Sequence, residues 1–147
     1  MKPRSDYYFL AGRILIAAIF LMSGLNKIMQ PAATRAYMAQ HGIPMTGLFL
    51  ILAIIAEVGG GLSVLLGAYT RIGAALLFLF MIPTTLIFHT NFSDPNQMIH
   101  FMKNLSMIGG ILYVIEAGPG RISVDAKLRP EEVEPSDVRA PRRRAAA

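Results

Sequence analysis

One ionisable side chain stands where an apolar run should exclude it. Glu57 lies near the middle of the stretch 47–68, which otherwise carries aliphatic, aromatic and small residues. A charged side chain at the centre of a membrane-spanning helix costs at least about 2.5 kcal/mol, so such a residue faces the interior of a bundle. The glycines at 59–61 would let a neighbouring helix approach closely. The sequence therefore predicts a buried Glu57 that is either protonated or paired with a cation.

Further polar residues stand at the ends of the other apolar runs. They are Asn26, Lys27, His89, Lys103 and Asn104. If the runs form antiparallel helices, these five residues share one level of the bundle, and Glu57 lies roughly 15 Å below the end of its own helix. A lysine side chain bridges part of such a distance, so Lys27 and Lys103 are the predicted partners of Glu57.

Two interpretations of these polar residues stay open. They form a pocket for a quinone or another amphipathic molecule, on the order of 300 Å³ or larger, with apolar walls from residues such as Phe20 and Met107. Alternatively, they form only a hydrogen-bonded network that fixes the helix packing. Small-solute transport fits less well, because no broken helix pair and no symmetric repeat is evident in the sequence.

Arg13 lies in the first apolar run and belongs to a second pattern. Arg13, Phe20 and Lys27 recur every seven residues and therefore lie near one helical face. Arg13 is predicted to be an interfacial charge, and snorkelling towards the lipid headgroups is the favoured interpretation of its position.

Metal and thiol chemistry find little support in the sequence. His89 and His100 flank a polar loop, but two histidines at this spacing without a third ligand are not a metal signature, and no metal site is predicted. The chain has no cysteine, which excludes disulfides and thiolate chemistry by this chain alone.

The elements that must position these residues are four apolar stretches, at about 7–28, 47–68, 72–89 and 101–117. A hydrocarbon core of about 30 Å needs roughly 20 helical residues, so each stretch approaches a full span. Hydrophobic residues make up 54% of the 147 and charged residues only 16%. The sequence predicts an all-α, integral membrane four-helix bundle with antiparallel spans over residues 1–128. Residues 129–147, rich in Arg, Glu, Pro and Ala, are predicted to be a disordered cytoplasmic tail.

The distribution of basic residues predicts the partner and the orientation. A net charge of +5, placed at span ends and in the tail, favours a lipid bilayer and argues against nucleic acid. Short loops rich in Lys and Arg stay in the cytoplasm. One side of the bundle carries Lys2, Arg4, Arg13, Arg71, Arg121, Lys127 and Arg129, and the other carries Lys27, Arg35 and Lys103. Both termini are therefore predicted to be cytoplasmic, and the first run is predicted to be a retained span rather than a cleaved signal peptide.

Several short motifs together resemble the DoxX family of small four-span bacterial inner-membrane proteins. The match runs roughly over 15–125. Its parts are the run from Phe20 to Lys27, Tyr37 to Pro44, Glu57 to Gly61, Leu66 to Arg71, His89, Phe101 to Asn104, and Gly118 to Asp125.

The resemblance implies a bundle in the cytoplasmic membrane and, in some relatives, association with quinone-linked oxidoreductases. It leaves open whether this chain is an enzyme. We expect an accessory or binding subunit of a membrane complex, and as the alternative a membrane component of a quinone-linked oxidoreductase. Without cysteine or an opposed histidine pair, electron transfer would need a bound quinone or the cofactor of another subunit.

Overall fold

The structure is a computed structural model, and it describes residues 3–128. The predicted cytoplasmic tail, 129–147, lies outside the described residues. The described part is all-α and contains no strand. Its elements are α1 (Pro3–Met29), α2 (Pro31–Gln40), α3 (Thr46–Ile54), a π-helical turn (Ile55–Gly59), α4 (Gly60–Leu66), α5 (Thr70–Phe88), α6 (Pro95–Ala117) and α7 (Val124–Leu128).

Four helices are long and apolar enough to cross a membrane, which confirms the predicted fold class. The spans are Asp6–Met29, Thr46–Leu66, Thr70–Phe88 and Pro95–Ala117. The second span comprises α3, the π turn and α4. Side chains from all four spans meet in one core, formed by Ala17, Phe20, Val64, Ala74, Leu77, Met81 and Ile111.

The fourth span differs from its predicted bounds. It begins at Pro95 rather than at 101. The Asp94 side chain accepts a hydrogen bond from Asn96 N at 2.9 Å and so caps the helix, while Pro95 fits the first helical position because it has no N–H to satisfy. The local cap therefore extends the helix through the polar segment that was expected to be a loop.

The first connection, between the predicted spans 7–28 and 47–68, contains the helix α2. Pro31 begins this helix, and Met38 packs with Leu50 and Ala53 of the second span in a small cluster. This contact packs α2 against the second span. The apolar periodicity of such a short segment is too weak to be recognised from the sequence.

The spans do not pack equally against one another. The first span packs extensively on the second, the second on the third and the third on the fourth, whereas α1 and α6 contact each other at few positions. The bundle therefore has one loosely packed seam, between α1 and α6.

At the end of the bundle opposite α2, the segment 118–128 folds back onto the helices. The Asp125 carboxylate accepts hydrogen bonds from Tyr69 N at 2.8 Å, Thr70 N at 3.0 Å and Thr70 Oγ1 at 2.9 Å. Asp125 N in turn donates to Gly67 O at 2.8 Å. The first orphan N–H groups of α5 are thus capped by a residue distant in the sequence.

Arg13 does not extend to the lipid headgroups, contrary to the interpretation favoured from the sequence. Its side chain is only 2% exposed, and Nη2 donates to Ile122 O at 2.5 Å. The carboxylate of Asp125 acts on it electrostatically. The segment after α6 covers this face of α1, so the guanidinium is enclosed by a contact that local periodicity does not reveal.

Candidate functional site

Glu57 is buried in the second span and bound by two groups of α1. It is 3% exposed. Lys27 Nζ lies 2.9 Å from its Oε2 and donates a hydrogen bond to its Oε1 at 3.1 Å. Ser23 Oγ donates to the same Oε1 at 3.0 Å and accepts from Lys27 Nζ at 2.8 Å. The three side chains form a closed, charge-assisted cluster between the first two spans.

Ser23 was not among the residues singled out from the sequence. It precedes Lys27 by one helical turn, so both side chains lie on the same face of α1. A serine four residues from a lysine that must pair inside a bundle is the signal that would have found it.

Two backbone features bring α1 and Glu57 together. The π-helical turn Ile55–Gly59 contains Glu57, and such single turns concentrate at functional sites because they redirect one side chain. Gly24 faces this turn: a Cβ placed there would stand 3.3 Å from Glu57 Cβ and 2.6 Å from Val58 Cγ2. Only a residue without a side chain permits this approach of the two helices.

A hydrogen bond between Asn104 and Thr85 joins the fourth span to the third. Asn104 is 5% exposed, and its Nδ2 donates to Thr85 Oγ1 at 3.1 Å. The Thr85 hydroxyl donates in turn to Met81 O at 2.7 Å. This chain of hydrogen bonds fixes the orientation of the amide.

The remaining polar residues lie nearer the end of the bundle. His89 Nδ1 is 2.8 Å from Gln97 Oε1, and the rings of His89 and His100 are 5.2 Å apart. Lys103 is exposed, with Nζ 3.2 Å from His100 Nδ1. Asn26 accepts a hydrogen bond from Gln30 Nε2 at 2.9 Å. Lys103 therefore does not pair with Glu57, and of the two predicted partners Lys27 alone does so.

All six polar residues nevertheless line one cavity of about 450 Å³, which we call the polar cavity. Among its lining residues are the six, Glu57, Lys27, Asn26, His89, Lys103 and Asn104, together with Ser23, Phe20, Met107, Ile19, Met81, Ala53 and Met38. Glu57 and Asn104 are its buried polar groups, whereas Lys103 and Asn26 stand at its exposed side. Apolar walls with a few convergent polar groups are typical of small-molecule sites.

Aromatic rings form one side of the polar cavity beneath α2. Tyr37 and Phe88 both line it and stack with centroids 5.2 Å apart and planes 15° apart. The ring of His41 lies 4.8 Å from that of Phe88 and 4.5 Å from that of Tyr37. The sequence did not predict this cluster, because it depends on the placement of α2.

The arrangement is suited to hold a flat molecule with polar substituents. Asn104 and Lys103 bring N–H donors, and the aromatic and aliphatic walls fit a ring. The donors of Lys27 and Ser23 are used within the cluster with Glu57, which forms a polar part of the wall. Within the described residues, no group of three or more His, Cys, Asp or Glu side chains is placed to hold a metal ion.

Comparison with known proteins places the chain among small membrane proteins. The family model described as DoxX matches residues 8–90, which include Lys27 and Glu57. The inner membrane protein YqjF of Escherichia coli is 40% identical over 128 residues, covering 87% of this chain and 97% of the relative. The E. coli inner membrane protein YphA is 36% identical over 80% of this chain and 88% of its own length. An uncharacterized membrane protein of Mycobacterium tuberculosis, Rv3486, is 30% identical over 79% of this chain and 78% of its own length. The comparison with solved structures found no match.

Proposed function

The chain belongs to the DoxX family, and we propose that it binds a small ring-bearing amphiphile of the quinone class in the polar cavity, as the binding or accessory subunit of a membrane complex. The observation that carries this proposal is the convergence of six polar side chains on one cavity of about 450 Å³, five from the first, second and fourth spans and one, His89, directly after the third. A network that served only to fix the helix packing would need satisfied hydrogen bonds and no cavity.

The geometry favours a ligand with hydrogen-bond acceptors on a flat ring. Quinone carbonyl oxygens accept hydrogen bonds, and the Lys103 ammonium and the Asn104 amide are donors lining the polar cavity. The stacked pair Tyr37 and Phe88 supplies aromatic surface beside these donors.

An oxidoreductase component is the second candidate. Reduction of a quinone takes up protons, and the cluster of Lys27, Ser23 and Glu57 joins three proton-carrying groups by hydrogen bonds at the cavity wall. The electron donor would be a cofactor of another subunit. Formation of quinol by the chain with a reduced partner complex, lost in Glu57→Gln at a quinone concentration high enough to saturate the variant, would favour this candidate.

Binding of a quinone ring without its tail tests the primary proposal. Lys103→Ala removes a hydrogen-bond donor at the cavity, and Glu57→Gln removes the carboxylate that positions Lys27 and Ser23 on its wall. Each is expected to weaken binding about tenfold, which corresponds to about 1.4 kcal/mol. Equilibrium titration of the purified chain in nanodiscs measures the dissociation constant.

The matched controls carry the same changes away from the polar cavity. Lys127→Ala in α7 and Glu116→Gln near the end of α6 alter exposed residues outside the cavity and should leave the dissociation constant unchanged. The exposed Lys103 keeps the test informative if Glu57→Gln inserts poorly. If the cavity variants and the controls bind the quinone ring with equal dissociation constants, the proposed site is wrong.

We also propose that both termini are cytoplasmic. The support is the excess of basic residues on the side that carries the N-terminus, the turn at 67–69 and the segment after α6. An alkaline phosphatase fused to the C-terminus, active only outside the cytoplasm, is expected to be inactive, while fusion within the 89–94 connection is expected to be active. The reverse pattern would contradict the orientation.

A further inference from the structure

A second cavity lies in the seam between α1 and α6. This α1–α6 groove has a volume of about 390 Å³. Its lining residues include Tyr8, Phe9, Gly12 and Arg13 of α1 and Gly110 and Tyr113 of α6. Apart from the buried Arg13, the walls are apolar or aromatic, and the glycines leave room that side chains would otherwise fill.

The groove continues the polar cavity along the same seam. On α1, Ile19 and Phe20 line the polar cavity and Ile16 lines the groove, so the two cavities meet within one helical turn. On α6, Met107 lines the polar cavity and Gly110 the groove, again one turn apart. Where the two spaces approach each other, Ile16 packs against Gly110, since a Cβ at Gly110 would stand 3.3 Å from Ile16 Cδ1. A tail that joins the two spaces therefore runs along Ile16.

The length of the seam is suited to an extended hydrocarbon tail. From Lys27, at the polar cavity, to Gly12, in the groove, α1 advances fifteen residues, or about 22 Å at 1.5 Å per residue. Hydrogen-bond donors and acceptors lie at the Lys27 end, in the polar cavity, and apolar walls line the groove towards Gly12. A molecule with a polar ring and a long hydrocarbon tail matches this order.

We propose that the ligand of the polar cavity carries a long apolar tail, and that this tail lies in the α1–α6 groove. This inference rests on the proposed function, since it places the head of the ligand in the polar cavity. It restricts the ligand to lipid-tailed molecules and makes the seam between the first and fourth spans the path of the tail. A bulk phospholipid chain is the competing occupant of the groove.

A quinone with a photoreactive diazirine at the end of its tail tests the inference. On irradiation of the full chain in nanodiscs, we expect labelling of peptides that contain Tyr8, Phe9 or Tyr113. An excess of the tailless ring should abolish this labelling, because it displaces the head that holds the tail in place. Labelling that persists under this competition would show that the groove takes any lipid chain and would overturn the inference.

A substitution that fills the groove provides a second test of the tail path. A Cβ at Gly12 would meet no atom within 4 Å, so a side chain can begin there, and Gly12→Leu is designed to fill the groove. It is expected to remove the labelling while the tailless ring binds as in the wild type. Gly109→Leu, equally unobstructed and outside the lining, is the matched control and should keep the labelling.

The arms separate the two proposals. Binding of the tailless ring with labelling unchanged in Gly12→Leu overturns the tail path and leaves the proposed function standing. Absence of binding of the tailless ring to the wild type overturns the proposed function, and the tail path with it.

Discussion

Replacement of Lys27 by methionine is expected to lower the free energy of unfolding by about 3 to 5 kcal/mol, because it leaves the Glu57 carboxylate buried without its cation. Ser23 alone then remains to hydrogen-bond the carboxylate. Lys27→Met combined with Glu57→Leu should cost less than the single change, since apolar residues of similar volume replace both charges. Reversible unfolding in bicelles, followed by steric trapping, measures the difference.

The comparison between single and double variants is the decisive part of this prediction. Lys127→Met makes the same substitution at an exposed position in α7 and should change stability by less than about 0.5 kcal/mol. If Lys27→Met is no less stable than the double variant, Lys27 and Glu57 do not form a buried charge pair.

Asp125→Ala is expected to destabilise the bundle by about 3 kcal/mol, through two losses. Three hydrogen bonds to Tyr69 and Thr70 at the start of α5 disappear, and loss of a helix cap costs about 0.5 to 2 kcal/mol. These hydrogen bonds go to a charged carboxylate, and such bonds are worth about 1.5 to 3 kcal/mol. The buried guanidinium of Arg13 also loses the electrostatic attraction of this carboxylate, which adds to the cost.

Asp94→Ala is the matched control for Asp125. Asp94 caps α6 with one exposed hydrogen bond to Asn96 N, so its loss should cost only about 1 kcal/mol. Asp125→Asn keeps an acceptor without the charge and should fall between the two. If Asp125→Ala costs no more than Asp94→Ala, the segment after α6 does not stabilise the bundle as described.

The pairing of Lys27 with Glu57 was accessible from the sequence for a simple reason. A carboxylate in mid-span must be satisfied inside the bundle, and the depth of the span ends left only two lysines as candidates. The four spans were accessible because twenty-residue apolar runs have few other structural solutions. Such arguments need only hydropathy and the helical rise.

Other features depend on contacts between distant segments and left no local signal. The π turn at Ile55–Gly59 arises within a continuous apolar run, where the sequence of small residues is compatible with an ordinary α-helix. The enclosure of Arg13 requires the segment around Ile122 to fold back over α1. The aromatic pair Tyr37 and Phe88 requires α2 to lie across the end of the bundle.

The two cavities are related through the α1–α6 seam. The first and fourth spans are the least tightly packed neighbours, and both cavities lie along their contact. The tight approach of the first two spans at Gly24 keeps Lys27 and Glu57 in register on the opposite wall.

The most direct test of the central claim is the ligand occupancy of the protein as it is extracted from its own membrane. Native mass spectrometry of the chain released from mild detergent should show one ring-bearing lipid per chain, identified by extraction and fragmentation. The double variant Glu57→Gln with Lys103→Ala, inserted and expressed as the wild type, should have lost most of that mass. A double variant that retains the ligand at full occupancy, or a wild-type chain that carries none, would contradict the account.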